Sequence, residues 1–151
     1  MLRFERPGKN SGKLSLLVVL DTNEYLLAVG LVRNPSSEHL LDILIKRFPH
    51  HQIRIPRLIV EEIRRHLSPA VFRDLLSALL LFVSVDEDFE VPFELGAKYE
   101  AKGLKPADAF IAAYTEWVGA QVLVTENRHF LTRRSDLPFR VLTSEQTLKI
   151  L

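Results

Sequence analysis

A chain of 151 residues, 47% hydrophobic and 26% charged, is long enough to bury one core and too apolar to be a disordered polyelectrolyte. It has no cysteine, which excludes disulfides, thiolate zinc sites and cysteine nucleophiles, and a formal net charge of +1 excludes binding to nucleic acid by bulk charge alone. No apolar run reaches the roughly 18–20 residues needed to span a bilayer, so no membrane association is expected.

Residues 1–13 read as a short basic tail rather than a signal peptide, because no apolar stretch precedes the first strand. Residues 14–151 read as one domain, and the lack of cysteine fits a cytoplasmic protein. Ser15–Leu20 (SLLVVL) is a continuous apolar run, predicted as a buried strand that ends at Asp21. A helix is expected over Thr22–Leu31. After the break at Asn34-Pro35-Ser36-Ser37 a second runs from about Glu38 to Arg47. QIRIP (52–56) is a short strand, and Leu58–Leu67 a helix. Ser68 caps the next helix, with Pro69 in its first position. LLFVSV (80–85) is a strand. Val91-Pro92 introduces a helix to Lys102, stopped by Gly103. Lys105-Pro106 opens a long apolar helix to Val118. AQVLVT (120–125) is a strand, Asn127–Thr132 a short helix and FRVLT (139–143) the last strand. Ser144 is expected to cap a terminal helix, with Thr147 giving it no reciprocal partner. Uninterrupted apolar strands alternating with helices predict an α/β fold, with a parallel sheet covered by helices on both faces. There is no internal repeat or linker to divide it.

In such sheets chemistry gathers at the carboxyl ends of the strands. The first strand runs into Asp21, and the fourth into Thr125-Glu126-Asn127, so Asp21 and Asn127 reach the same edge. Asp108 lies in the first turn of its helix. On the helix after the second strand, residues advance by about 100° each, so Ile63 and Leu67 lie about 40° and 80° from Ile59 and mark a buried stripe. Glu61 falls at about 200°, facing water, and Glu62 at about 300°, beside the stripe, where it can reach across the domain. Each residue has a plain structural alternative. Asp21 and Asn127 are good N-caps, Glu24 could complete a capping box with Asp21, and Asp108 suits a helix dipole. Several polar groups at one sheet edge are harder to explain as independent caps. Clustered carboxylates repel unless a cation lies between them, and an oxygen-only set suits a hard ion such as Mg²⁺ or Mn²⁺. No histidine pair has zinc-like spacing. His50 and His51 are expected to point apart, and His66 to line the surface.

Charge is unevenly spread. Seven Lys or Arg lie between Lys46 and Arg73, a second basic set is Arg128, Arg133, Arg134 and Arg140, and Asp86–Glu100 is acidic. The basic segments suit a polyanion, and equally suit solvated helix faces.

VVLDTN after the first strand, VEEIRRHL on a following helix, KPADAFIAAYT opening a late helix and VLVTENRHF at a late strand resemble the four motifs of the PIN domain family, in their usual order. The resemblance covers nearly the whole chain. It implies a three-layer α/β/α sandwich with a central, mostly parallel sheet of about five strands, and an endoribonuclease dependent on Mg²⁺ or Mn²⁺ whose products carry a 5′-phosphate and a 3′-hydroxyl. By position, Asp21, Glu62 and Asp108 match the first three acids, as metal ligands and catalytic residues. The fourth motif usually carries an aspartate where this chain has Asn127, a neutral ligand, with Thr125 before it and Phe130 after it. Thr125, Asn127 and Arg128 are then expected to position substrate or a ligand water, while the adjacent Glu126 points elsewhere. Many members of this size resemble VapC-type toxins, which implies RNA as substrate, an antitoxin protein as partner and a homodimer.

Two other functions fit parts of the sequence. A PIN fold weakened at Asn127 would bind RNA or a protein, alone or as a subunit of an RNA-processing assembly, without cutting. A phosphoaspartyl enzyme would also place an aspartate after a strand, but the second aspartate it needs two residues on is here Asn23. A receiver would carry its phosphoacceptor at the end of the third strand, where Asp86 lies, but needs acids before Asp21, where only apolar residues stand.

Overall fold

The computed structural model describes residues 15–132 and 136–151; the basic tail, Arg133 and Arg134 lie outside the described residues. Five strands, β1 (Leu17–Leu20), β2 (Gln52–Pro56), β3 (Val83–Asp86), β4 (Val122–Val124) and β5 (Arg140–Leu142), form one sheet in the order β3-β2-β1-β4-β5. Every pairing is parallel. Eight α-helices accompany them among the described residues: α1 (Thr22–Val29), α2 (Pro35–Lys46), α3 (Arg57–His66), α4 (Pro69–Leu79), α5 (Phe93–Ala101), α6 (Pro106–Trp117), α7 (Arg128–Leu131) and α8 (Ser144–Leu148).

The central strands explain the layering. Successive residues of a strand face opposite sides of the sheet. Val18, Val19 and Leu20 of β1 and all three residues of β4 are buried, so both faces are covered. That cover is what an uninterrupted apolar run requires, and each fully buried Val or Leu contributes roughly 1.5–3 kcal/mol by leaving water. Helix α2 packs against both α1 and α8, and α5 packs against α6. No helix among the described residues is long and apolar enough to cross a membrane.

Differences from the sequence reading lie at element ends. Helix α2 begins at Pro35, three residues early, because Asn34 accepts a hydrogen bond from the Ser36 amide and Pro35 takes the first helical position. β3 is shorter at its start, since Leu80 ends α4 and both Leu80 and Leu81 are exposed. The cap of α8 is Thr143, not Ser144. Its hydroxyl accepts from the Gln146 amide while the Gln146 side chain accepts from the Thr143 amide, a complete capping box. Gly103 follows α5 with φ of 100°, a left-handed conformation that glycine adopts without strain.

From β1 the chain steps outward through β2 to β3, then returns to the other side of β1 as β4 and moves out to β5. The connections after β1 and β4 therefore leave in opposite directions. The crevice between those two strands, at their carboxyl ends, is the switch point where doubly wound sheets bind ligands.

Candidate active site

Asp21 is the first residue past β1, and its amide donates to the Val124 carbonyl of β4 at 2.9 Å, which fixes it against the neighbouring strand end. Only 7% of its surface is exposed. Its side chain caps α1. Oδ1 accepts from the Thr22 amide at 2.8 Å and Oδ2 from the Thr125 hydroxyl at 2.9 Å. Thr125 is fully buried and its oxygen also accepts from the Asn127 amide at 3.0 Å. The hydroxyl expected to meet substrate thus faces inward and holds the Asp21 carboxylate instead.

Glu62 arrives from α3, half-buried beside the stripe of Ile59 and Ile63, as the helix geometry predicted. Its carboxylate accepts from the Thr22 hydroxyl. Glu61 turns away and pairs with Arg64 one turn along the same helix. Asp108 lies half-buried in the first turn of α6. Asn127 caps α7: its side-chain oxygen accepts from the His129 amide at 2.9 Å. That leaves the oxygen one lone pair for any other role. Arg128 and His129 open α7 on the surface.

The electrostatics single out Asp21. Burial pushes its carboxyl above the ordinary range; the bonds from Thr125 and Thr22 oppose this, and the charges of Asp108 and Glu62 add to it. Asp108 is likewise raised by burial and by Glu62, against the pull of His129 and Lys105. The three acids are therefore close enough to feel one another, and no cation forms a salt bridge with any of them among the described residues. As their side chains stand, no three His, Asp or Glu groups converge closely enough to enclose an ion among the described residues. The donor set nevertheless suits a hard divalent ion. It is all oxygen, none of its members has a salt-bridge partner among the described residues, and Glu62 and Asp108 are half-buried beside the fixed Asp21.

Behind Asp21 lies a second acidic pair. Glu24, expected to complete a capping box with Asp21, is instead 2% exposed, and its Oε1 accepts from the Ser37 hydroxyl at 3.0 Å. Its carboxyl stands within hydrogen-bonding reach of Glu126, and burial together with Glu126 pushes it up to about 9. Glu126 does point away from the Asp21 site, accepting from the Ser144 amide at the start of α8 at 2.9 Å. A signal for Glu24 was present: it lies four residues before the buried Ala28 and beside the buried Tyr25, on the core-facing side of α1.

Much of the basic segment is spent locally. Lys46 pairs with Asp42, Arg54 with Asp86, Arg57 with Glu87 and Arg64 with Glu61. His50 and His51 do not point apart; their rings lie 4.6 Å from centre to centre. His51 is fully buried, and its Nδ1 accepts from the Leu16 amide at 3.1 Å. His66 is exposed, as expected.

Comparison with known proteins agrees with this arrangement. A search of the curated proteins found no match. Among solved structures, the chain is similar to one in the crystal structure of VapBC2 from Rickettsia felis bound to a DNA fragment from their promoter, with 22% identity, TM-score 0.58, and coverage of 84% of this chain and 97% of that one. It is similar also to a chain of FitAcB from Neisseria gonorrhoeae, with 19% identity, TM-score 0.59, and coverage of 85% and 98%. At these identities the likeness is one of fold. The PIN domain family model matches residues 18–134, a span that begins within β1 and takes in Asp21, Glu62, Asp108 and the Thr125–Asn127 turn. With that span and the acids gathered at the β1–β4 switch point, the chain belongs to the PIN domain family.

Proposed function

We propose that this chain is an endoribonuclease that depends on Mg²⁺ or Mn²⁺ and serves as the toxin of a toxin–antitoxin pair. The observation that carries the nuclease reading is Asp21: a buried carboxylate, fixed by two hydrogen bonds, beside two further acids and with no salt-bridge partner among the described residues. Asp21 and Asp108 would hold the ion, with Glu62 beside them. A divalent ion there supplies a Lewis acid that offsets phosphate charge and makes a nearby water more acidic. Glu62, its carboxylate oriented by the Thr22 hydroxyl, takes the proton of the attacking water. The water oxygen bonds to phosphorus as the bond to the 3′ oxygen breaks, and that oxygen takes a proton from solvent, leaving a 5′-phosphate and a 3′-hydroxyl. Thr125 acts through Asp21 by holding one carboxylate oxygen in place. Arg128, exposed at the start of α7, binds the RNA backbone. The motif resemblance to VapC-type toxins and the fold likeness to VapBC2 and FitAcB support the antitoxin partner. The resemblance also supports a homodimer, and the lack of cysteine fits a cytoplasmic protein.

Asn127 favours a second reading, a PIN fold that binds RNA without cutting it, because the fourth acidic place is neutral and its oxygen is engaged as a helix cap. One experiment separates the two: cleavage of a mixed RNA pool with Mn²⁺ or Mg²⁺ against EDTA, for the wild type and an Asp21→Asn/Asp108→Asn double variant. Ion-dependent cleavage lost in the variant supports the nuclease. RNA binding with no cleavage above the variant's level selects the binding module, and cleavage undiminished in the variant overturns the site.

A further inference from the structure

Glu24 differs from the other acids at this edge. It is the most deeply buried of them, and its Oε2 has no hydrogen-bond partner. Such a group in low dielectric needs a proton or a cation. The surroundings are oxygen donors from three separate parts of the chain. Ser37, in the first turn of α2, gives its hydroxyl to Glu24 and lies 3.5 Å from the Ser144 hydroxyl at the start of α8. Glu126, half-buried and following β4, faces Glu24 and opens toward solvent. Glu24 also feels the charge of Asp21, so the pair lies directly behind the outer acids. No lysine, arginine or histidine forms a salt bridge with Glu24 among the described residues.

We propose that Glu24 and Glu126, with the hydroxyls of Ser37 and Ser144, form a second cation-binding position behind Asp21 that takes a hard divalent ion. The ligands are two carboxylates and two neutral oxygens, the donor type Mg²⁺ and Mn²⁺ select, with the remaining places open to water from the Glu126 side. The position shares no side chain with Asp21, Glu62 and Asp108, so it stands or falls apart from the nuclease reading.

The test counts bound ions rather than cleavage. Free Mn²⁺ is followed by electron paramagnetic resonance as it is titrated into the full chain. The variants are Glu24→Gln, Glu126→Gln and Asp108→Asn. Glutamine at 24 keeps the size, the acceptor for Ser37 and a donor toward Glu126, and half-buried Glu126 provides a variant outside the core. Glu24→Gln and Glu126→Gln should each lose one bound Mn²⁺ relative to wild type, while Asp108→Asn retains the ion those variants lose. An unchanged Mn²⁺ count and affinity in both glutamine variants, with circular dichroism showing them folded, would overturn the proposal. So would a single wild-type ion that Asp108→Asn abolishes.

Discussion

Two aspartates are buried at the same carboxyl edge of the sheet, Asp21 after β1 and Asp86 at the end of β3, and the fold treats them in opposite ways. Asp86 meets a bidentate guanidinium, with Arg54 Nε at 3.0 Å and Nη2 at 2.6 Å, and accepts the Tyr114 hydroxyl as well. Burial pushes its carboxyl up, but the Arg54 and Tyr114 bonds and the Arg54 charge outweigh that and hold it below the usual range. Asp21 has only neutral donors among the described residues, stands beside Asp108, Glu62 and Glu24, and is held above that range. A buried charge with a fixed partner is a structural fastener, here joining β2, β3 and α6. A buried carboxylate without one needs a proton or an outside cation, and the proposed ion would fill that role at Asp21. The contrast also disposes of Asp86 as a phosphoacceptor, since both its oxygens are engaged.

The largest effect should come from removing the unpaired charge. Asp21→Asn keeps an acceptor for the Thr22 amide but loses the negative charge, and we expect cleavage to fall on the order of 1000-fold or more. Its melting temperature should stay level or rise, because the fold no longer carries an uncompensated carboxylate. A variant that loses activity only as it unfolds would put Asp21 in the same class as Asp86.

The pH dependence of stability extends the unpaired side of the comparison to Glu24. Its carboxyl, pushed up to about 9 by burial and Glu126, has a folded value above the 4.5 of an ordinary glutamate. The fold therefore favours the protonated form. That contribution is fully present below the unfolded value and is lost as pH rises through the folded one. Between about pH 5 and pH 9 the wild type should lose stability relative to Glu24→Gln, by several kcal/mol on the order-of-magnitude scale of such shifts. Urea unfolding of both proteins across that range, without added metal, measures the difference. Parallel curves would show that Glu24 carries no such burden.

Breaking the paired side should cost stability instead. Asp86→Ala leaves Arg54 and the Tyr114 hydroxyl without their acceptor. Full burial would make that loss larger, but the Arg54 side chain is 33% exposed, so about 2–3 kcal/mol is expected. Cleavage per folded molecule should stay near wild type. Loss of cleavage at full folding would move Asp86 from the framework to the chemistry.

How far these roles could be read beforehand depends on how local their causes are. The apolar runs of β1 and β4 and the angular position of Glu62 on α3 follow from residues close in sequence, and they were legible. The positions of Asp21 and Asp108 were legible too, because one follows a strand end and the other lies in the first turn of a helix. Glu24 was legible only as a possible cap partner for Asp21, since its actual partners, Ser37 and Glu126, arrive from other elements. Arg54 read as part of a basic patch because its partner is 32 residues away, and only the β2–β3 register, which sets Arg54 opposite Ser84 and Pro56 opposite Asp86, brings them together. Thr143 was passed over for Ser144 at the last cap. The two are adjacent, and cap and first helical position differ only in backbone conformation.

The smallest effect asks whether pairing or burial makes Asp86 a fastener. Arg57 pairs with Glu87 at 2.9 Å, one residue beyond Asp86, with side chains 42% and 43% exposed. The ion pair is as short as those Arg54 makes, and it spans the same two segments of chain. In water, however, each partner finds alternative solvation, and holding two long side chains together costs rotamer entropy. Arg57→Ala should therefore shift stability by less than about 1 kcal/mol, and the shift should shrink further in high salt. If pairing alone mattered, Arg57→Ala and Asp86→Ala would cost alike. A several-fold difference between them, read from the same urea curves, would assign the effect to the desolvated surroundings of Asp86. Those surroundings are what Asp21 shares, without the guanidinium.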